Sequence, residues 1–349
     1  MNEMPLFLKS LKRLPIPHAP VWMMRQAGRY LSEYRALKEK YSFLEMCRSV
    51  ELATEVTLQP IRIINPDAAI VFADILLPLE AMGIEIDFAP GPIIKNPISS
   101  STDITSLKTQ DVSKTNGYVF EIVKEVKRNL SLQTEGARKA VLGFAGAPWT
   151  LACYLIAQGP HKHYLGTNVY AREHKNSFHL LMDKLTTLIE DYLIGQVEAG
   201  ADAVQLFDTW GGNLSAKDYE ALSLPYVQRI VNKVQSRGCP VIFYVNGSSH
   251  LLTQMLASGA DCLSIDWRTD LGEAIRLHGN QVSFQGNLDP TLLYASKEEI
   301  RVRTKEMLSA VTSQTGYIAN LGHGILSTTP RENAKYFIDV VKEGFLANA

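Results

Sequence analysis

A unit that recurs along most of the chain limits its fold more than any other feature: a helical stretch, a glycine, a short apolar run, then a polar residue. Gly136 precedes Ala140-Val-Leu-Gly-Phe144, Gly200 precedes Ala203-Val-Gln-Leu-Phe207, and Gly238 precedes Val241-Ile-Phe-Tyr-Val245. Gly259 precedes Cys262-Leu-Ser-Ile265, Gly279 precedes Val282-Ser-Phe284, and Gly316 precedes Tyr317-Ile-Ala319. A glycine one step past a helix reads as a left-handed cap, and near-continuous apolar runs read as strands buried on both faces. Val21–Met24 and Ala68–Phe72 bring the expected strands to eight. Strands alternating with helices imply a parallel sheet, and eight of them favour an α/β fold closed as a (β/α)8 TIM barrel. An open, doubly wound sheet is the competing architecture.

The connecting segments fit this scheme. Ile122, Val126 and Leu130 recur at helical spacing, as do Leu181, Leu185, Leu188 and Tyr192. Ser296 to Glu299 has the form of a capping box, and Thr329-Pro330-Arg-Glu332 reads as a capped helix start. One stretch departs from the rhythm. Gly83-Ile-Glu-Ile-Asp-Phe88, the turn Ala89-Pro-Gly-Pro92 and Ile93-Ile94 read as a β-hairpin inserted after the second strand. Residues 98–116, rich in Ser, Thr and Asp, read as a surface loop. No linker or long repeat divides the chain, so 1–349 is expected to be one domain.

Composition narrows the partners. A formal net charge of −1 gives no global attraction for nucleic acid or an anionic membrane. No apolar run approaches the roughly 18 residues of a membrane span, and the Leu6-Phe-Leu patch is too brief for a signal-peptide core. Four cysteines without CxxC spacing read as reduced core residues of a cytoplasmic protein.

In a barrel of this kind the working residues lie at the carboxyl ends of the strands. The first strand exit supplies Arg25 and Arg29 around Gln26, Ala27 and Gly28. Two guanidiniums there offer planar, bidentate grips for carboxylates, and Gly28 allows backbone to come close to a ligand. Only Glu33 stands nearby as a structural ion-pair partner. The second exit gives Asp74, the third Tyr154, the fourth Asp208 and Thr209, the fifth Asn246. The sixth gives Asp266, the seventh Asn287 and the eighth His323, between two glycines that clear bulk around it. Blander roles compete. Asp74 could cap the following helix, Asp208 and Asp266 read better as structural acids, and Tyr154 alone reads as a packed aromatic. His161, His163 and His250 show no usable partner spacing. GxxxxGK[ST], HExxH, CxxC and a first-strand GxGxxG are all missing. The pattern therefore points to chemistry without metal, nucleotide or organic cofactor, in which the substrate supplies its own electron sink.

Pro20-Val-Trp-Met-Met-Arg-Gln-Ala-Gly-Arg29 and Gly143-Phe-Ala-Gly-Ala-Pro-Trp-Thr-Leu-Ala-Cys-Tyr154 resemble the two signature segments of the uroporphyrinogen decarboxylase family. Phe72-Ala-Asp-Ile-Leu76, Leu206-Phe-Asp-Thr-Trp-Gly-Gly212, Gln285-Gly-Asn-Leu-Asp-Pro290 and Asn320-Leu-Gly-His-Gly324 are similar to its other blocks. The resemblance implies a cofactor-free barrel, a homodimer, and removal of carbon dioxide from the four acetate arms of uroporphyrinogen III to give coproporphyrinogen III. By the same resemblance Asp74 and Arg25 are catalytic; Arg25, Gln26, Ala27, Gly28, Arg29, Asp74, Tyr154, Thr209 and His323 bind substrate. Ser32 stands where many members have proline, Ala157-Gln158-Gly159 lacks a common acidic residue, and Thr209 replaces a serine found in some members. The proton donor stays open among Arg25, Tyr154 and His323. A corrinoid-linked methyltransferase would need a zinc-type Cys/His set. A non-catalytic tetrapyrrole binder would keep the cleft without the chemistry.

Overall fold

The computed structural model describes residues 4–88, 91–108, 111–132, 138–156, 165–312 and 314–345. Seven parallel strands form the main sheet in the order β1 (Ala68–Ile70), β4 (Ala140–Gly146), β5 (Ala203–Asp208), β6 (Val241–Val245), β7 (Cys262–Ser264), β8 (Ser283–Leu288) and β9 (Tyr317–Leu321). Between β1 and β4 in sequence, β2 (Ile86–Phe88) and β3 (Pro92–Ile94) pair antiparallel with Ile86 opposite Ile94. Residues 89 and 90 of the expected turn lie outside the described residues, as do Gly136, Ala157 to Gly159, His161 and His163.

The expected first strand, Val21–Met24, is one parallel bridge between Val21 and Ala319 rather than a strand. Trp22 N–H donates to the Ala319 carbonyl at 3.2 Å, and Asp67 N–H donates to the Val21 carbonyl at 2.7 Å. The next amides leave the ladder: Met23 N–H goes to Gln26 Oε1 and Met24 N–H to Asn320 Oδ1, each at 3.1 Å. Side chains have taken the places of strand carbonyls. Because Val21–Trp22 reaches both β9 and the residue preceding β1, the two edges of the sheet are brought towards each other, so the sheet must curl. The second strand also stops early, since Phe72 N–H turns to the Thr57 hydroxyl at 2.9 Å.

Alternation along the strands divides the apolar residues into two layers. Trp22, Ala68, Ile70, Leu142, Phe144, Phe207, Ile242, Tyr244 and Ile318 pack together inside the curl. Ala69, Val71, Val141, Ala145, Val204, Leu206, Phe243 and Ala319 face the helices instead. Ile122, Val126 and Leu130 are buried on the helix Val112–Ser131, and Leu181, Leu185, Leu188 and Tyr192 on Lys175–Glu198. Phe7 and Leu11, on the helix Leu6–Leu11, join the inner layer, and Ser10 Oγ donates to the carbonyl of Tyr317, the first residue of β9. This helix covers the amino-terminal end of the sheet. The carboxyl-terminal end is the one left for a site.

Three local expectations need correction. Gly200, Gly238 and Gly259 have positive φ, but Gly279 and Gly316 do not; a methyl on Gly279 would press on the Ile275 carbonyl, so close packing explains that glycine better. Residues 98–116 are not a loop throughout. Ser100 and Asp103 form a reciprocal capping box that starts the helix Ser101–Ser106, and Val112 already begins the next. The helix Arg331–Lys342 takes Pro330 as its N-cap, and Thr329 makes no capping bond. Among the described residues no helix is long and apolar enough to cross a membrane.

Candidate active site

Arg25 follows the last buried residue of the first segment and has φ of +63°, an uncommon backbone state for a side-chain-bearing residue. Gln26 holds this turn. Its Oε1 accepts from Met23 N–H, and its Nε2 donates to the Ala68 carbonyl at 2.9 Å. Gln26 is fully buried, so its side chain supports the turn and offers no polar atom to a ligand. Gly28 fits tightly, since an added Cβ would come within 3.0 Å of the Arg25 carbonyl. Ala27 and Gly28 are half-buried, and Arg25 and Arg29 are exposed.

Neither Arg25 nor Arg29 makes an ion pair among the described residues. Glu33, the acid that might have claimed them, pairs with Arg331 at 3.3 Å. Ser32 opens the helix Ser32–Lys38, a first-turn position where proline is also favourable, so that departure bears on capping alone. Two unpaired guanidiniums at one exit keep their donors for anions.

Asp74 takes up the expected capping role with one of its two oxygens. Oδ1 accepts from Leu76 N–H at 2.9 Å and stabilises the turn, while Oδ2 has no hydrogen-bond partner among the described residues. The residue is partly accessible but walled in by protein. Burial pushes its carboxyl up to about 6, against the Leu76 amide and the charge of Arg25, which pull it down. Arg25 is close enough to act on Asp74 electrostatically without locking it in a salt bridge. At neutral pH the carboxylate is therefore ionised and retains a free oxygen. We expect kcat/KM, which reports groups of the free enzyme, to fall tenfold per unit below about pH 6 as Asp74 gains its proton. A flat profile between pH 5 and pH 7 would contradict the assignment.

The remaining expected site residues follow later strands of the sheet. His323 accepts from Gly324 N–H through Nδ1 at 2.7 Å, which leaves the proton of the neutral ring on Nε2 as a donor. Burial first, then Arg25 and Arg268, press His323 down to about 4, so it is neutral at pH 7. It contributes a hydrogen-bond donor and no charge. Gly324 makes room for Arg25: an ideal Cβ there would lie 2.5 Å from Arg25 Cδ and 3.0 Å from Nε. Thr209 is half-buried between two clamped neighbours. Thr150 Oγ1 donates to Asp208 at 2.7 Å and accepts from Trp210 N–H at 3.2 Å. Tyr154, on the helix Pro148–Ile156, packs edge-on to Trp210 with ring centroids 6.3 Å apart.

Asp208 and Asp266 prove structural. Asp208 is fully buried and accepts from the hydroxyls of Thr150, Tyr219 and Ser223. Asp266 accepts from the amides of Gly247, Ser248 and Arg268 and from the Arg268 guanidinium. Asn287 donates to the carbonyls of Asp266 and Thr269. Arg268, which the sequence offered only as a cation two places after a strand-end acid, also stands at the Asp266 exit. The four cysteines are buried and free, and among the described residues no three His, Cys, Asp or Glu side chains gather where they could hold a metal ion.

A curled parallel α/β sheet carries unpaired arginines, a half-free carboxylate and a neutral imidazole in the segments that follow its strands, the scaffold of an enzyme that acts on a small molecule. The uroporphyrinogen decarboxylase family model matches residues 2–344. The chain is 42% identical to a uroporphyrinogen decarboxylase of Geobacter sulfurreducens over 335 residues, covering 96% of this chain and 97% of the relative. It is 44% identical to one of Carboxydothermus hydrogenoformans over 345 residues, covering 98% and 97%. The chain belongs to the uroporphyrinogen decarboxylase family, whose members are carboxy-lyases. A solved methyltransferase from Methanosarcina mazei has the same fold, with a TM-score of 0.82 at 20% identity, covering 98% of this chain and 99% of that one.

Proposed function

We propose that this chain removes the four acetate carboxyls of uroporphyrinogen III as carbon dioxide and yields coproporphyrinogen III, with Asp74 and Arg25 as its catalytic groups. The observation that carries the reading is Asp74: a partly accessible, ionised carboxylate with one uncommitted oxygen, within reach of the Arg25 field. Loss of carbon dioxide from an acetate arm leaves an electron pair that needs a sink. Protonation of the adjacent pyrrole carbon makes the ring cationic, and the ring accepts the pair as the carbon–carbon bond breaks. A proton then adds to the exocyclic methylene to form the methyl, and the ring carbon releases its proton. In other decarboxylases a bound cofactor commonly supplies that sink. Asp74, facing the pyrrole N–H groups, stabilises the positive charge as it develops. Arg25, Arg29, Tyr154, Thr209, the His323 Nε2–H and the Ala27–Gly28 backbone contact the remainder of the substrate.

The reading includes one (β/α)8 domain whose eighth position is filled by Val21–Met24, working as a cytoplasmic homodimer. Sedimentation of the purified protein tests the dimer. Anaerobic incubation with uroporphyrinogen III and no added cofactor tests the reaction. Stepwise carbon dioxide release through seven-, six- and five-carboxylate intermediates is expected; a protein that releases none, or only after metal or corrinoid is added, would overturn it.

Arg29 gives a separate test of the carboxylate grip. Replacing it with alanine removes charge-assisted hydrogen bonds, so KM should rise about tenfold or more while kcat changes less. A pure kcat defect at unchanged KM would count against the role.

A further inference from the structure

Beyond the residues carried by the family motifs, we propose that Arg268 is a third carboxylate-binding cation of the same mouth, holding an arm of the substrate that is not reacting. The proposal rests on the decarboxylase reading and extends it. Arg268 is built into place from three sides. Its Nη1 donates to Asp266 Oδ2 at 2.8 Å and lies 3.4 Å from Asn246 Oδ1. Its guanidinium stacks on the Trp267 ring, 4.2 Å from the centroid. Its backbone N–H donates to Asp266 Oδ1 at 2.9 Å. The other side of the loop is fixed too, because Gly322, next to His323, packs against Trp267 so closely that a methyl there would strike the Trp267 amide nitrogen.

These contacts use one terminal nitrogen and leave Nη2 and Nε without a partner among the described residues. The side chain remains 48% exposed. A guanidinium fixed at one corner and open at the other presents the two-point fork that a carboxylate fits. Asp266 does not cancel it fully, because that carboxylate also shares its charge with the Gly247 and Ser248 amides. Arg268 stands in the loop after β7, where its neighbour Trp267 packs on Gly322 beside His323, and the arm assigned to it is a propionate, which survives every turnover.

Steady-state kinetics on Arg268→Gln and Arg268→Lys, with uroporphyrinogen III and with the five-carboxylate porphyrinogen as substrates, tests this. A propionate contact raises KM about tenfold in Arg268→Gln for both substrates alike, with a smaller fall in kcat, an effect that shrinks at high salt. Arg268→Lys, which keeps the charge and loses the fork, recovers part of the affinity. Unchanged KM overturns the proposal, as does a KM effect confined to the eight-carboxylate substrate. A purely structural staple would instead lower the unfolding temperature and kcat together, with no salt-dependent KM term, and that outcome also overturns it. Should Arg268→Gln fail to fold, the Lys variant decides: a raised, salt-dependent KM supports the contact and a wild-type KM refutes it. Carbon dioxide release by the unaltered protein reports on the underlying activity separately.

Discussion

Asp74→Asn should lower kcat by a few hundredfold, about 3–4 kcal/mol of lost transition-state stabilisation, while the substrate still binds. Asparagine keeps an oxygen for the Leu76 amide, so the turn that Asp74 supports remains intact. What disappears is the negative charge that the proposed mechanism sets against the pyrrole nitrogens. Stability is expected to respond in the opposite direction. The folded-state pKa of Asp74 is raised from 3.8 to about 6. A carboxyl raised in this way favours the fold at low pH, and that contribution fades as pH climbs through about 6. At pH 7.5 the wild-type protein therefore carries an unfavourable buried charge that asparagine lacks. Thermal unfolding at pH 7.5 should give the variant a midpoint equal to or above that of the wild type. Single-turnover measurements then separate chemistry from binding. Wild-type turnover in the variant would remove Asp74 from the mechanism, and loss of substrate binding without a kcat change would recast it as a ligand contact.

The same residue illustrates what a sequence can and cannot reveal. Asp74 at a strand exit was legible as a candidate, because a strand buried on both faces followed by an acid is a local pattern. That it would cap the turn with only one of its two oxygens was not legible, since the folded backbone alone decides which amide comes within reach. The seven ladder strands were readable for the same local reason: apolar runs need no knowledge of their neighbours. Val21–Met24 carried the same signal yet forms only a bridge. The residues responsible, Gln26 and Asn320, intercept its amides, and Asn320 is 296 positions away from Met24. Gln26 fell within a ligand-binding motif, but its amide is committed inside the turn. Arg268 gave little signal beyond a cation two places after Asp266, because its setting depends on Trp267 packing against Gly322, a contact between two distant loops.

Gly324→Ala is expected to have the second large effect, and it acts through a residue it does not replace. The φ of Gly324 lies outside the left-handed range, so alanine can adopt its backbone without strain. The space is already taken. The added methyl would sit 2.5 Å from Arg25 Cδ and 2.9 Å from Cγ, and those are its nearest neighbours. A flexible side chain will yield before the backbone does, so Arg25 should swing away and the fold should persist. Displacing a positioning group by about 1 Å can cost about a hundredfold in rate, and kcat/KM should fall by that order. The unfolding temperature should stay within a few degrees of wild type, since no backbone atom is struck. Gly322→Ala provides the contrast, because its methyl meets the Trp267 backbone and should compromise folding itself. If Gly324→Ala kept full activity, Arg25 would have room to spare, and the tight fit between the first and last strand exits would have no part in catalysis.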